Sequence, residues 1–309
     1  KSINMLVNAV YQISEQPLIW LSIGTKNWNK LENKTNSKAY LLIHPMWYFS
    51  FSSVIPHLKY RAKLRKKNII LIILSNSRRE HIFSSLLGFK SVFLNQNMHV
   101  CEYQFTIEHR PKKYDAVYIA AAKKYKRIHL AAKISSLFII TYFWPIITDE
   151  NGNWNLHEFE PRIKHANYNK KRMDKAQIRT IISESKCGLA LSKKEGAMLA
   201  SMEYLLSGIP IVTTKSIGGR NHFFDNRYVK TVRANPTAVK KGVDVITSLN
   251  IEPEFIRNET LKKIEKERRK FYNFIKALHA KGSFIIEPYN EFSKRIWGHC
   301  TGLENNRII

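Results

Sequence analysis

The sequence lacks several features that would decide its class at once. Its 309 residues include only three cysteines, Cys101, Cys187 and Cys300, and their spacing suits neither a disulfide framework nor a metal site. The longest apolar run, residues 136–148, is too short for a membrane span and contains Pro145. The first residues show no charged segment followed by an apolar one, so we expect no signal peptide. These absences predict a soluble, cytoplasmic protein in a reducing compartment.

Acidic residues are also scarce. The chain has 24 Asp and Glu against 51 Lys and Arg, which gives a formal net charge of +27. This excess favours polyanionic partners, such as nucleic acid, an anionic membrane surface or an acidic substrate. An alternative is that an AT-rich genome, which also enriches Asn and Ile, has placed the charge on a solvated surface. The basic residues are spread along the chain and no nucleic-acid recognition motif is present, so charge alone does not choose between these interpretations.

The chain is rich in apolar runs that alternate with helical patterns. Such alternation is typical of βαβ units and predicts parallel sheets in an α/β protein. The alternation stops near 110–115 and then restarts, which indicates two α/β halves in series. We predict strands over 17–23, 40–44, 68–75, 91–95, 116–121, 137–143, 187–192, 210–214 and 228–233, and helices over 56–67, 76–89, 126–136, 173–185, 197–208, 236–248 and 253–280.

The segment 191–214 carries two glutamates, Glu195 and Glu203, in an otherwise apolar context. Glu195 and Gly196 fall in the loop between a predicted strand and a predicted helix, where open α/β sheets bind ligands and helix N-termini favour anions. Glu203 lies eight residues further on, a rise of ~12 Å in a helix, which is close to the separation of hexose and ribose in a nucleotide sugar. The alternative is that Glu195 only complements the helix dipole and Glu203 only lies on a solvated face.

This segment, EGAMLASMEYLLSGIPIVTT, resembles the E-x7-E segment of retaining GT-B glycosyltransferases of the group 1, or family 4-like, type. YDAVYIAAAKKYKRIHLAAKI and SIGGRNHFFD resemble the first strand with its basic loop and the later glycine loop of the same family. The resemblance covers about 113–275 and is weak over 1–100. It implies two Rossmann-like domains with parallel sheets facing an interdomain cleft. We expect an acceptor domain over 1–105, a donor domain over 112–270, and C-terminal helices over 271–309 that are candidates to cross back onto the first domain.

The resemblance also implies roles for individual residues. Glu195 would contact hydroxyls of the donor sugar, Lys126 would neutralise the diphosphate, and Glu203 would bind the ribose hydroxyls. One position departs from the family, because Ala121 stands where an arginine is usual. That departure leaves two outcomes open, a rebuilt phosphate clamp or impaired catalysis. Further donor-side residues that the resemblance implies, including substitutes for the missing arginine, are Lys123, Lys124, Arg127, Met173, Lys194, Gly196, Ala197 and Met198.

Acceptor-side candidates come from the first half of the chain. His44 ends a predicted strand, and Asn95 and Asn97 follow another, so all three are expected near carboxyl ends of strands. An aromatic loop is a candidate for an acceptor or lipid contact, or for the core, and it consists of Trp47, Tyr48, Phe49 and Phe51. We find no Asp-x-Asp pair that would hold a divalent cation with a diphosphate, so we expect no metal or other cofactor.

The function that the resemblance implies is hexose transfer from a nucleotide diphosphate sugar to a hydroxyl of a glycan or glycolipid, with retention, in surface polysaccharide synthesis. The charge adds an expected peripheral contact with an anionic membrane at the inner face of the cell membrane. Three alternatives stay open at this point. They are a non-catalytic protein of this fold, a nucleic-acid-binding protein and a nucleotide-sugar epimerase.

Overall fold

The computed structural model describes residues 9–24, 31, 34–35, 37–45, 51–142 and 151–309, except the side chains of 51–53. The chain forms two compact units. Unit 1 contains the described residues up to Cys101 together with 218–222 and 263–309, and unit 2 contains 102–217 and 223–262. Residues 47–49 of the aromatic loop and most of residues 25–38 lie outside the described residues. Phe51, predicted as part of that loop, instead begins a helix. The predicted domain limits stay predictions.

Unit 1 is built on a five-stranded sheet whose strands lie in chain order. The first strand is antiparallel to the second, and the other four are parallel. The parallel strands are continuous apolar runs because both of their faces are covered. The strands are β1 (Val10–Ser14), β2 (Leu18–Ile23), β3 (Ala39–His44), β4 (Ile69–Ser75) and β5 (Lys90–Phe93).

Helices cover both faces of this sheet. One face packs against α1 (Phe51–Lys66) and α2 (Arg78–Leu86), with side chains such as Val54 and Leu64 in its core. The other face packs against the later part of α7 (Pro253–Ala280) and against α8 (Tyr289–Trp297). A short helix, α9 (Gly302–Asn305), follows, and the backbone of 306–309 bonds to that of β1. Unit 1 therefore combines an early and a late part of the chain.

Unit 2 is built on a six-stranded sheet in the order β13-β11-β9-β6-β7-β8, with every described pair parallel. A separate two-stranded sheet joins β10 and β12. The strands are β6 (Ala116–Ala121), β7 (Leu137–Tyr142), β8 (Asn167–Tyr168), β9 (Gly188–Ala190), β10 (Lys194–Glu195), β11 (Ile211–Thr214), β12 (Ile217–Gly218) and β13 (Val229–Val232).

The helices of unit 2 include one that is almost entirely buried. All residues of α5 from Ser201 to Leu206 are buried. This helix lies so close to β9 that the ring of Tyr204 occupies the place of a Cβ on Gly188. A glycine at that position is what allows the close approach. The helices are α3 (Leu156–Phe159), α4 (Lys175–Ser183), α5 (Leu199–Leu206), α6 (Pro236–Ser248) and the first part of α7.

Two sequence predictions are wrong. The predicted helix over 126–136 is instead a pair of 3-10 turns joined at Arg127, whose backbone is left-handed at φ 53° and ψ 45°. The expectation of unpaired cysteines also fails, because Cys101 and Cys300 form a disulfide with their Cα atoms 5.1 Å apart. The two cysteines are 199 residues apart in sequence, and only the return of the C-terminal helices to unit 1 joins them. The cysteine count therefore does not support a reducing compartment.

None of the helices within the described ranges combines the length and the apolar composition that a transmembrane span needs.

Candidate functional site

Most of the predicted donor residues of unit 2 lie in the segments that follow β6 and β9, at the carboxyl ends of these two parallel strands. The loops after β6 and β9 are joined there, since the Lys193 N–H donates to the Tyr125 carbonyl at 2.8 Å. Strands β6 and β9 are adjacent in the sheet. Ligands of open α/β sheets bind outside the carboxyl ends of the strands, so this edge is the expected place for a site.

A buried ion pair lies where these two loops meet. The Lys126 ammonium contacts the Glu195 carboxylate, and the exposed fractions of the two side chains are only 6% and 7%. Lys126 is fixed by its turn, because its carbonyl accepts a hydrogen bond from Tyr118 at 2.6 Å. Charges this deeply buried are costly unless they are paired. The pair therefore places a cation and a carboxylate side by side at the carboxyl ends of β6 and β9. A ligand with an anionic group could take the place of Glu195 beside Lys126, and a ligand with hydroxyl groups could take the place of Lys126 beside Glu195.

Arg127 follows Lys126 but uses its donors within the protein. Its guanidinium donates to the Leu191 carbonyl and to the Thr214 hydroxyl, both at 2.7 Å. Ala121, where the family that the sequence resembles usually has an arginine, is buried at the end of β6. In this conformation Arg127 therefore ties the loops after β6, β9 and β11 together and does not replace the missing arginine.

The entry into α5 is a buried turn that contains one left-handed residue. Gly196, Ala197 and Met198 are buried, and Met198 precedes the helix with a left-handed backbone at φ 49°. No side chain caps the first N–H groups of this helix. Residues with positive φ other than glycine are uncommon and concentrate at functional sites. The turn is thus consistent with the backbone contacts predicted for these three residues.

Glu203 is paired as well, with a residue that the sequence analysis missed. The Lys175 ammonium lies 2.9 Å from the Glu203 carboxylate, and the exposed fractions of the two side chains are 30% and 6%. Lys175 opens α4 directly after Asp174, which caps that helix together with Gln177. Its ammonium also lies 5.1 Å from the centre of the Phe105 ring. The solvated-face interpretation of Glu203 is therefore wrong, because the side chain is buried.

Both glutamates act on one further residue, Tyr142 at the end of β7. Reduced hydration, followed by the negative charges of Glu195 and Glu203, raises the pKa of Tyr142 to about 12. The same two influences, reduced hydration and the Glu195 charge, raise the pKa of Tyr125. Tyr142 therefore lies within electrostatic reach of both carboxylates. No sequence motif marked Tyr142.

The remaining donor-side candidates come from three different parts of unit 2. Lys194 is exposed in β10, directly before Glu195. Lys123 lies at the start of the loop after β6, and its N–H donates to the Ala121 carbonyl at 2.7 Å. Met173 is half-buried next to Asp174. Their contacts with a donor stay predictions.

The acceptor-side candidates of unit 1 are all buried and all hydrogen-bonded within the protein. The Asn95 amide donates to the carbonyls of Asn76 and Gly219 at 2.8 and 2.9 Å. The Asn97 N–H donates to the Asn95 side chain at 3.0 Å. These bonds give the two asparagines a structural function, and their contact with an acceptor stays a prediction.

His44 belongs to a buried chain of rings. Its Nε2 lies 3.3 Å from Nε2 of His99, whose Nδ1 accepts from the Trp297 indole at 3.0 Å. Burial lowers the pKa of His44 to about 3 and the pKa of His99 well below its usual value. Both rings are therefore neutral at pH 7, and His44 is a core residue whose acceptor role stays a prediction.

Within the described residues, no group of three His, Cys, Asp or Glu side chains could hold a metal ion. Metal independence remains a prediction, since it concerns the reaction.

Comparisons with known proteins give matches in structure but not in sequence. No protein-family model and no curated protein sequence matches the chain. The crystal structure of TarM matches with a TM-score of 0.57 at 16% identity, over 82% of this chain and 54% of that one. The chain thus spans about half the length of TarM.

Two other solved structures match over more of their length. Anabaena HepE, solved in complex with UDP, has a TM-score of 0.59 at 10% identity, over 81% of this chain and 82% of that one. The sucrose-phosphate synthase of Thermosynechococcus elongatus has a TM-score of 0.57 at 12% identity, over 84% of this chain and 73% of that one. At such identities the likeness concerns the fold, and the chain has the GT-B fold of these glycosyltransferases, as the E-x7-E segment predicted.

Proposed function

We propose that the protein is a retaining glycosyltransferase that moves a hexose from a nucleotide diphosphate sugar to a hydroxyl of a glycan or glycolipid. The observation that carries the proposal is the buried Lys126–Glu195 pair at the carboxyl ends of two parallel strands. A buried pair with one cation and one carboxylate suits a ligand that brings both a diphosphate and sugar hydroxyls.

The reaction breaks the bond between the anomeric carbon and the diphosphate and forms a bond to the acceptor oxygen, with release of the acceptor proton. Negative charge grows on the departing diphosphate. In this proposal Lys126 and the N–H groups at the start of α5, which no side chain caps, stabilise that charge without a metal. Glu195, once Lys126 turns to the phosphates, accepts hydrogen bonds from the sugar hydroxyls, and Glu203 accepts those of the ribose.

The setting we propose is surface polysaccharide synthesis in the cytoplasm, with peripheral contact to the anionic inner face of the cell membrane. The support is the donor chemistry, since nucleotide sugars are intracellular metabolites, and the net charge of +27. The solved structure of HepE with UDP makes a uridine nucleotide the first donor to test.

A thermal-shift screen with UDP, GDP, ADP, CMP and their sugars tests the donor assignment. A cognate nucleotide at 100 times its Kd should stabilise the protein by ~2.7 kcal/mol. If no nucleoside diphosphate raises the Tm, the proposed function is wrong.

Turnover is tested with a labelled donor and the variant Glu195→Gln. This change should reduce transfer strongly while the affinity for the free nucleoside diphosphate stays nearly intact, because the partner of Glu195 is the sugar. Glu184→Gln is a matched control, since Glu184 is also buried and paired with a lysine, Lys113, but lies at the amino ends of the strands. An equal loss of transfer activity in both variants would contradict the assignment of Glu195 to the donor sugar.

A second candidate is a protein of this fold that binds nucleotide without transferring sugar. Ala121 favours it, because the arginine usual at that position is missing and Arg127 is engaged elsewhere. Product analysis separates the possibilities. Transfer gives a glycosylated acceptor, an epimerase gives a changed donor sugar, and a non-catalytic protein gives a thermal shift with no product.

A further inference from the structure

Helices α1 and α2 cover the same face of the unit 1 sheet. Side chains of both helices and of the residues after them, such as Val54, Leu64 and Phe89, enter one core cluster on that face. The Arg61 side chain of α1 donates to the Gly88 carbonyl just after α2 and stacks on the Phe89 ring. The outward sides of the two helices therefore form one continuous surface, which we call the α1–α2 face.

The α1–α2 face is strongly basic. Residues 51–93 contain nine lysines and arginines and a single acidic residue, Glu80. That glutamate is buried, and its carboxylate accepts from the Asn76 N–H at 2.9 Å. The exposed cations include Lys59, Lys63, Lys66, Arg78 and Arg79. Among the described residues, no ion pair neutralises any of these five.

Aliphatic side chains are exposed among these cations. The exposed fractions are 64% for Ile55, 57% for Ile82 and 81% for Leu86. Positions 78, 82 and 86 recur every four residues, so Arg78, Ile82 and Leu86 share one stripe of α2. Ile55 and Lys59 have the same spacing on α1. Each helix thus presents aliphatic and cationic side chains on its outward stripe.

This combination fits a lipid surface better than a nucleic acid. Lys and Arg would bind the phosphates of either partner. Exposed isoleucine and leucine gain free energy when they enter the boundary between headgroups and acyl chains, but they add little on a phosphate backbone. Single-stranded nucleic acid is held by aromatic stacking, and the large apolar side chains that the structure describes as exposed on this face are aliphatic.

We propose that the α1–α2 face docks on an anionic lipid bilayer, with its cations at the headgroup phosphates and with Ile82 and Leu86 below them. The contact is independent of sugar transfer, so it is tested without a donor or an acceptor. Its failure and the failure of the glycosyltransferase assignment are therefore separate results.

The first measurement is flotation of the intact protein with vesicles of phosphatidylglycerol and phosphatidylcholine, and with phosphatidylcholine alone. We expect binding to the anionic vesicles at about 0.1 M salt and release at about 1 M, where the Debye length falls from ~10 to ~3 Å. Equal binding to both kinds of vesicle, or binding to neither, overturns the proposal. Tighter binding to duplex DNA than to the anionic vesicles would assign the face to nucleic acid and also overturns it.

Charge reversal locates the contact. The triple variant Lys59→Glu, Lys63→Glu and Arg79→Glu should weaken binding by ~100-fold, because each basic residue near an anionic surface contributes about fivefold. All three side chains are exposed, so the variant is expected to fold. If three charge reversals on unit 2 weaken vesicle binding equally, the net charge of the whole protein drives binding and the assignment to this face is overturned.

The control reverses the same number of charges on unit 2, with the variant Lys164→Glu, Lys230→Glu and Lys241→Glu. These lysines are also exposed, and the net charge of both triple variants is the same. We expect the control to bind anionic vesicles within about twofold of the unmodified protein, because its α1–α2 face is intact.

The aliphatic residues are tested separately. Ile82→Ser with Leu86→Ser should lower vesicle binding at least ~10-fold while its salt dependence persists, because the cations remain. Ile285→Ser is the control, since Ile285 is 95% exposed in unit 1 and its neighbour Ile286 packs on the opposite face of the sheet. Unchanged binding by the double variant would contradict insertion of Ile82 and Leu86.

Discussion

Removal of the Lys175 ammonium should destabilise unit 2. Lys175→Met leaves the Glu203 carboxylate, whose exposed fraction is 6%, without its cation. Breaking a fully buried pair costs about 3–5 kcal/mol. Because Lys175 is 30% exposed, water can hydrate the Glu203 carboxylate after the ammonium group is removed. We therefore expect a smaller loss of unfolding free energy, about 2–3 kcal/mol. For a chain of 309 residues that loss lowers the Tm by about 3–5 °C.

Urea unfolding of the single and double variants measures this pair directly. Lys175→Met combined with Glu203→Gln should be more stable than Lys175→Met alone, because the unpaired charge is gone. Lys240→Met is the control, since it breaks the exposed Lys240–Asp244 pair and should change the unfolding free energy by only about 0.3–0.5 kcal/mol. If Lys175→Met is as stable as this control, the pair does not stabilise unit 2 and the reasoning is wrong.

Calorimetric titration then separates structure from binding. Glu203→Gln should weaken binding of the cognate nucleoside diphosphate by about tenfold or more, because a charge-assisted hydrogen bond to the ribose contributes ~1.5–3 kcal/mol. Lys175→Met keeps the Glu203 carboxylate and removes the ammonium group that competes with the ribose for it. The affinity of this variant for the nucleoside diphosphate should therefore equal or exceed that of the unmodified protein. If Glu203→Gln lowers only the Tm, Glu203 serves the fold and the ribose assignment fails.

Three further predictions concern the metal, acid and packing. Transfer activity should survive EDTA, and complete loss that manganese restores would refute metal independence. Lowering the pH from about 7 to about 5 should cost at least ~2 kcal/mol of unfolding free energy in urea titrations, because the unfolded chain takes up a proton on His44 near pH 6.5 whereas the folded ring has a pKa of about 3. The pKa of His99 is lowered as well, so His99 adds to this loss. Burial would raise the pKa of Glu267, but its ionic partners lower it to about 2, so a second loss should begin below about pH 4.5, and a flat profile would contradict both expectations. Gly188→Ala should cost about 1–3 kcal/mol by forcing the Tyr204 ring to move, with Gly298→Ala, where a Cβ meets only ordinary contacts, as the unaffected control in the same unfolding assay.

Much of the fold could be predicted from local pattern. Parallel strands buried on both faces are continuous apolar runs, so β4 and β7 were found within one or two residues. The long helix α7 has both an amphipathic period and a proline at its start, and its bounds match the predicted 253–280. The helix predicted over 126–136 is wrong because the apolar spacing of this segment is typical of a helix, whereas the left-handed backbone of Arg127 interrupts the helical conformation.

The site was predicted only in part, for a physical reason. Glu195 and Glu203 follow from one motif and Lys126 from a second segment that resembles the same family, and the structure joins Lys126 and Glu195 directly. Lys175 is 28 residues from Glu203 in sequence, and Tyr142 lies on a different strand from either glutamate. Pairings of this kind depend on which loops meet at a sheet edge, and a pattern along the chain does not encode that.

The composition of unit 1 from two distant parts of the chain has a consequence for synthesis. Ile13 and Leu21 share a core cluster with Phe271, Phe292 and Trp297, so one face of the first sheet has no cover until the last helices exist. The 199 residues between Cys101 and Cys300 take roughly 10–40 s to translate. Most of unit 2 is encoded within that interval and can fold during it. During synthesis unit 1 should therefore begin to fold first and finish last. One apolar face of its sheet stays exposed until the C-terminal helices have been translated.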